Sequence, residues 1–174
     1  MYNFSPSFTE FIELNKNEDQ SEFFTKVINS FKQQFDYHLF KSIIKDNIQD
    51  IQLEAIDWLI SYANFILSDG IITEIELQDF TFLKKIFSIK EGDFMKYKSF
   101  EVSEILKKEF IRIYSDNYVN DKEKLLNINL QALFNLGYDE FEELKKDEII
   151  ISLIQGANPK DLDITKLPKG FIVI

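Results

Sequence analysis

The sequence predicts an all-α fold, one helical domain over residues 1–174 with a helix–corner–helix repeat at its centre. Three observations carry this expectation. Apolar residues recur at three- and four-residue steps along most of the chain, which is helical spacing. Only 5 Gly and 3 Pro interrupt the 174 residues, so breakers are few. No segment reads clearly as a strand. A hydrophobic fraction of 45% with 18 Phe excludes a disordered chain and suffices for a buried core.

The elements follow in order. Residues 1–20 carry Phe4, Phe8 and Phe11 among polar residues and read as an N-terminal arm or short helix packed on the body. From about Ser21, Phe23, Phe24, Val27, Ile28, Phe31 and Phe35 mark a helix. Its pattern resumes at Leu39, Phe40, Ile43 and Ile44 after a break near Asp36. Asp46-Asn47 is a loop. From about Asp50 a stripe of Ile51, Ala55, Ile56, Leu59, Tyr62, Ala63 and Ile66, flanked by Trp58, predicts a strong helix. It stops at Gly70, where positive φ costs little.

Thr73 and Glu76 have capping-box spacing, and Ile72 and Leu77 occupy the staple positions. The helix they open runs to about Phe87. Gly92 marks a connection, and the next helix spans about Phe100 to Tyr114. Asn120 then caps a helix with Glu123 at its third position. That helix carries Leu125, Leu126, Ile128, Leu130, Leu133 and Phe134, and ends at Gly137. Asp139 and Glu142 open a last helix that stops near Gly156, and its acidic start, Asp139-Glu140-Phe141-Glu142-Glu143, reads as a solvated first turn. The tail, 157–174, holds Pro159 and Pro168, and its final apolar residues are expected to dock on the body or add a strand to a partner.

Two acidic corners stand 47 residues apart, Ser68-Asp69-Gly70-Ile71-Ile72-Thr73-Glu74-Ile75-Glu76 and Ser115-Asp116-Asn117-Tyr118-Val119-Asn120-Asp121-Lys122-Glu123. Aligned, they pair Asp69 with Asp116, Gly70 with Asn117, Ile72 with Val119 and Glu76 with Glu123. Downstream, Leu83, Ile86, Phe87 and Ile89 pair with Leu130, Leu133, Phe134 and Leu136. Acidic and apolar positions agree together, so the spacing predicts a pseudo-duplicated unit.

The corner resembles that of the TerB-like family, named for a bacterial tellurite-resistance protein and related to a module of membrane-anchored J-domain co-chaperones. Asp69-Gly70, Ile72, Glu74 and Glu76 fit the family pattern. Ser68 stands where alanine is usual, and Asn117 replaces glycine in the second corner. The resemblance spans about residues 50–145. It implies an all-helical, non-enzymatic module with stress-linked, metal-related or scaffolding roles.

An EF-hand is excluded. With Gly70 at loop position 6, Glu76 falls at position 12, but positions 1 and 3 become Phe65 and Leu67, which cannot ligate a cation. The second copy places Arg112 and Tyr114 there and fails likewise.

The corner acids have two readings. In one they satisfy turn amides and cap helices. In the other a pseudo-two-fold brings Asp69, Glu76, Asp116 and Glu123 together. Like charges ~5 Å apart repel by roughly 3 kcal/mol at an effective dielectric near 20, so convergence would call for a bound cation. Oxygen ligands alone favour Ca2+ or Mg2+.

A formal charge of −10, from 30 acidic and 20 basic residues with Arg112 the one arginine, argues against nucleic acid and anionic lipid and for cations or basic protein surfaces. Cysteine is absent, so thiol catalysis and zinc–thiolate sites are excluded. No run is long enough for membrane insertion, and no signal peptide is legible, so a cytoplasmic location is expected. His38 reads as a structural residue without marked partners. There is no Gly-x-Ser-x-Gly elbow and no phosphate loop, so no enzyme is expected. The expectation is a TerB-like binding or scaffold module, stress-linked and responsive to a divalent cation. The alternative is an acidic antitoxin or immunity-type protein that covers a basic partner.

Overall fold

The computed structural model describes residues 2–15, 20–32 and 35–171, and every regular element among them is a helix. The all-α expectation therefore holds. The chain divides into two compact units, residues 1–98 and 99–174. The boundary coincides with non-helical backbone at Lys98, φ −143° and ψ 40°.

The first unit holds α1 (Pro6–Leu14), α2 (Glu22–Asn29), α3 (Tyr37–Ile44), α4 (Ile48–Ile66) and α5 (Glu74–Ile86). The N-terminal arm is thus helical over nine residues. Ser5 accepts the Phe8 N–H at 3.1 Å, and Pro6 opens the first turn, where a missing N–H does no harm. Ser21 caps α2 by accepting from Phe24 at 3.1 Å, and Glu54 of α4 holds that serine by its N–H and its hydroxyl, both at 2.7 Å. Asp36 accepts from the His38 and Leu39 amides, which places the break before α3. His38 itself is exposed.

α4 carries the predicted stripe. Ile51, Ala55, Ile56, Leu59, Tyr62, Ala63 and Ile66 are all buried, and Trp58 is buried with them. Rings of Phe8, Phe11, Phe24, Phe31 and Phe87 surround the Trp58 indole at centroid distances of 5.3–6.3 Å. The aromatic residues of the first helices are therefore core. Phe23, half-buried, and Tyr37, exposed, are exceptions.

A single helix by hydrogen bonding, α6 (Asp93–Ile113), passes through the Lys98 break, so helix already begins before the predicted Phe100. Gly92, at φ 80°, precedes it. The second unit continues with α7 (Asp121–Leu133) and α8 (Tyr138–Ile154). Its core includes Val102, Leu106, Phe110, Leu130, Leu133, Phe134, Ile149 and Leu162. The acidic opening of α8 is solvated except for Phe141, which is buried against Phe110 at 5.4 Å. In the tail, a short 3-10 turn at Pro159–Asp161 offers the Asp161 carbonyl to the Val119 N–H at 2.7 Å. The expected docking of the final apolar residues concerns 170–174, of which Phe171 is half-buried and 172–174 lie outside the described residues.

α5 and α7 are both 13 residues long and both open with a capping box. Both end alike. Phe87 and Phe134 are the C-caps, and Ser88 (φ 57°) and Asn135 (φ 51°) follow in the left-handed region. The Ile89 and Leu136 N–H groups then reach back to the Lys84 and Gln131 carbonyls at 2.9 and 3.1 Å. This is the closing pattern that glycine usually serves. Ser88 is exposed and has no special reason to hold a side chain there. Ser88→Gly is expected to stabilise by about 0.5–1 kcal/mol, because L side chains are strained at this φ. A melting temperature equal to or below that of the parent chain would contradict this.

Candidate functional site

The first corner is built by the end of α4. A 3-10 turn, Leu67–Asp69, closes with Gly70 at φ 79°, whose N–H meets the Leu67 carbonyl at 3.1 Å. Asp69 Oδ1 accepts the Ile71 N–H at 2.9 Å, so this carboxylate organises the turn locally. Glu76 Oε2 accepts from the Thr73 N–H at 2.9 Å and from its hydroxyl at 2.7 Å. Its Oε1 accepts the Ser7 hydroxyl at 2.6 Å. Glu76 is 8% exposed, and both oxygens are engaged by protein donors.

One turn further on, Asp79 is 1% exposed. Its Oδ1 accepts the Tyr2 hydroxyl and its Oδ2 the Ser5 N–H, both at 2.9 Å. Burial pushes its pKa above the usual carboxylate value, opposed by the bonds from Ser5 and Tyr2, while the nearby Glu76 raises it further. Burial together with Asp79 likewise raises the Tyr2 phenol. The segment before α1 is thus fastened to Asp79, and the first turn of α1 to Glu76, through Ser7. Nothing in the local sequence marks Asp79. An acid three residues after Glu76 on a helix looks like any other surface acid until its donors, more than 70 residues away in sequence, are in place.

The second corner repeats the local geometry. Asn117, at φ 62°, bonds back to the Tyr114 carbonyl at 3.2 Å. Asp116 Oδ1 accepts the Tyr118 N–H at 3.1 Å. Asn120 Oδ1 accepts from the Lys122 and Glu123 amides, and Glu123 Oε2 accepts the Asn120 N–H at 2.8 Å. The counterpart of Asp79 is Leu126, which is buried, so no second buried carboxylate forms at that position.

Each candidate cation ligand therefore has a structural partner of its own. Asp69 and Glu76 belong to the first unit, Asp116 and Glu123 to the second. Among the described residues no group of three or more His, Asp or Glu side chains is arranged to hold a metal ion. The buried Glu109 is paired with Arg112, and burial raises its pKa against the pull of Arg112 and Lys108. Lys145, also buried, pairs with Glu142 at 2.6 Å.

α7 turns apolar residues to solvent at two positions where α5 has polar ones, although α5 exposes Ile75 beside them. Asp121, Leu125 and Ile128 lie at steps of four and three residues, which is one helical stripe. Leu125 is 56% exposed and Ile128 63%. The periodic pattern of this helix suggested no such division, because Leu125 and Ile128 alternate with the buried Leu126 and Leu130. The equivalent residues of α5 are Glu74, Gln78 and Thr81, all exposed and all polar. Tyr118, just before α7, is 53% exposed. No helix is long and apolar enough to cross a membrane among the described residues. In comparisons with known proteins, no family model matches the chain, no curated protein does, and no solved structure does.

Proposed function

We propose that this protein is a non-enzymatic binding module whose partner is a protein with a basic surface. The apolar stripe of Leu125 and Ile128 beside Asp121 carries this reading. A surface helix usually turns polar residues outward, and exposed apolar residues grouped on one face mark interaction sites. α5 is an internal control, because the same positions there are polar. The acidic charge of the chain suits a basic partner. The test is retention of a basic partner by the immobilised chain, with Leu125→Asp plus Ile128→Asp against Gln78→Asp plus Thr81→Asp. Retention should be lost with the first pair and kept with the second, at unchanged melting temperatures. Equal retention by both would reject the α7 face.

The likeness of Asp69-Gly70, Ile72, Glu74 and Glu76 to the TerB-like corner supports a scaffold role linked to stress. Responsiveness to Ca2+ or Mg2+ rests on Asp69, Glu76, Asp116 and Glu123. In a calorimetric titration, heat that Asp69→Asn with Asp116→Asn abolishes would support it. An antitoxin or immunity-type role is the form this binding would take if the retained partner were one strongly basic protein whose activity the chain blocks.

A further inference from the structure

We propose that a cleft in the first unit binds a small zwitterion with a flat apolar side chain, such as a free aromatic amino acid. The cleft has a volume of about 440 Å3, within the range of small-molecule sites. Its apolar lining includes Phe4, Ile12, Phe31 and Phe35. Ile12, Phe31 and Phe35 are buried, while Phe4 is half-buried. The rings already stack and meet edge to face. Phe31 and Phe35 lie 5.3 Å apart nearly parallel, and Phe4 stands across both at 5.5 and 5.6 Å. A further planar ring suits such a lining, since aromatic pairs favour these arrangements.

Among the described residues, two charges of opposite sign also line the cleft, Glu13 and Lys32. Both are exposed, and neither enters an ion pair with another described residue. A ligand with a carboxylate for Lys32 and an ammonium for Glu13 would answer both, with its apolar body on the phenylalanine rings. A simple fatty acid or amine would satisfy one charge and leave the other unanswered. One wall belongs to the segment that Tyr2 and Ser5 fasten to Asp79, so the cleft is held in shape before any ligand arrives, which limits the ordering cost of binding.

This inference is independent of the α7 face and of the acidic corners. Its test uses the whole chain and L-phenylalanine, titrated to about 10 mM and followed by calorimetry and by the fluorescence of Trp58. That indole lies 6.0 Å from the Phe31 ring, so an occupied cleft should alter its emission. Saturable binding is expected. N-acetyl-L-phenylalanine, without the ammonium, and phenethylamine, without the carboxylate, should each bind about fivefold or more weakly. L-Alanine, without the ring, should bind more weakly still. Glu13→Gln and Lys32→Gln, both on exposed side chains, should each weaken L-phenylalanine by a similar factor. Each should leave unchanged the analogue that lacks the group it would meet. Absence of saturable binding by either readout would overturn the proposal. So would analogues that bind as tightly as the amino acid, or variants that bind like the parent.

Discussion

Trp58→Ala is expected to lower stability by about 3–5 kcal/mol, the range for deleting a large buried aromatic. The indole is 1% exposed and touches rings from α1, α2, the turn after α2 and the end of α5. Those elements share it as a common contact, so none can close over the space it leaves without moving against the others. Native domains hold only about 5–15 kcal/mol in total. The melting temperature should therefore fall by roughly 6–20 °C, read by far-UV circular dichroism. Trp58→Phe separates packing from polarity. The indole N–H makes no hydrogen bond to another described residue, so the smaller ring forfeits volume and no bond, and the cost should stay below about 2 kcal/mol. A chain in which alanine and phenylalanine at this position melt together would refute a Trp58-centred core.

Asp79→Ala is the second large effect, about 2–4 kcal/mol. It removes the acceptor of the Ser5 N–H and of the Tyr2 hydroxyl, and a buried donor without an acceptor costs about 1–3 kcal/mol. Ser5 is itself buried, so its amide cannot simply turn to water. The segment before α1 should come loose, seen as faster amide exchange over residues 2–8 with protection of α4 retained. The pH dependence has a definite sign. The folded pKa of Asp79 lies above the ordinary value of 3.8, so the folded state holds the proton more tightly than the unfolded chain. Stability from this group is fully present below about pH 4 and is lost as pH rises through the raised folded pKa. The difference in stability between parent and Asp79→Ala should be largest in acid and shrink towards neutrality. A difference that grows with pH would show that the carboxylate is favoured in its ionised form, against this reading.

Much of this fold is written in local pattern. The stripe on α4, the capping boxes at Thr73 and Asn120, and the turns at Gly70 and Asn117 depend on residues within one or two helical turns, and such short-range chemistry is legible from spacing. The same holds for the tie between Asp69 and the Ile71 amide and for that between Asp116 and the Tyr118 amide, which are local turn bonds. Legibility failed where partners are distant or where sidedness matters. Leu125 and Leu126 look alike in sequence, yet one is exposed and the other buried, because an apolar run on a helix does not state which side meets the core. Lys98 carries no breaker signal, since neither Gly nor Pro stands there, and the chain nevertheless leaves helical geometry at that residue.

By itself, then, the sequence determined the all-helical class, the capping boxes at Thr73 and Asn120, and the turns at Gly70 and Asn117, because propensity, capping and turn chemistry act over a few residues. Tertiary structure alone decided that Asp79 is a buried anchor, that the segment before α1 closes on it, that Phe4, Phe31 and Phe35 line a cleft with Glu13 and Lys32, and that α7 shows an apolar face to solvent. Each of these depends on desolvation and on groups brought together from far along the chain, and no spacing rule encodes such meetings.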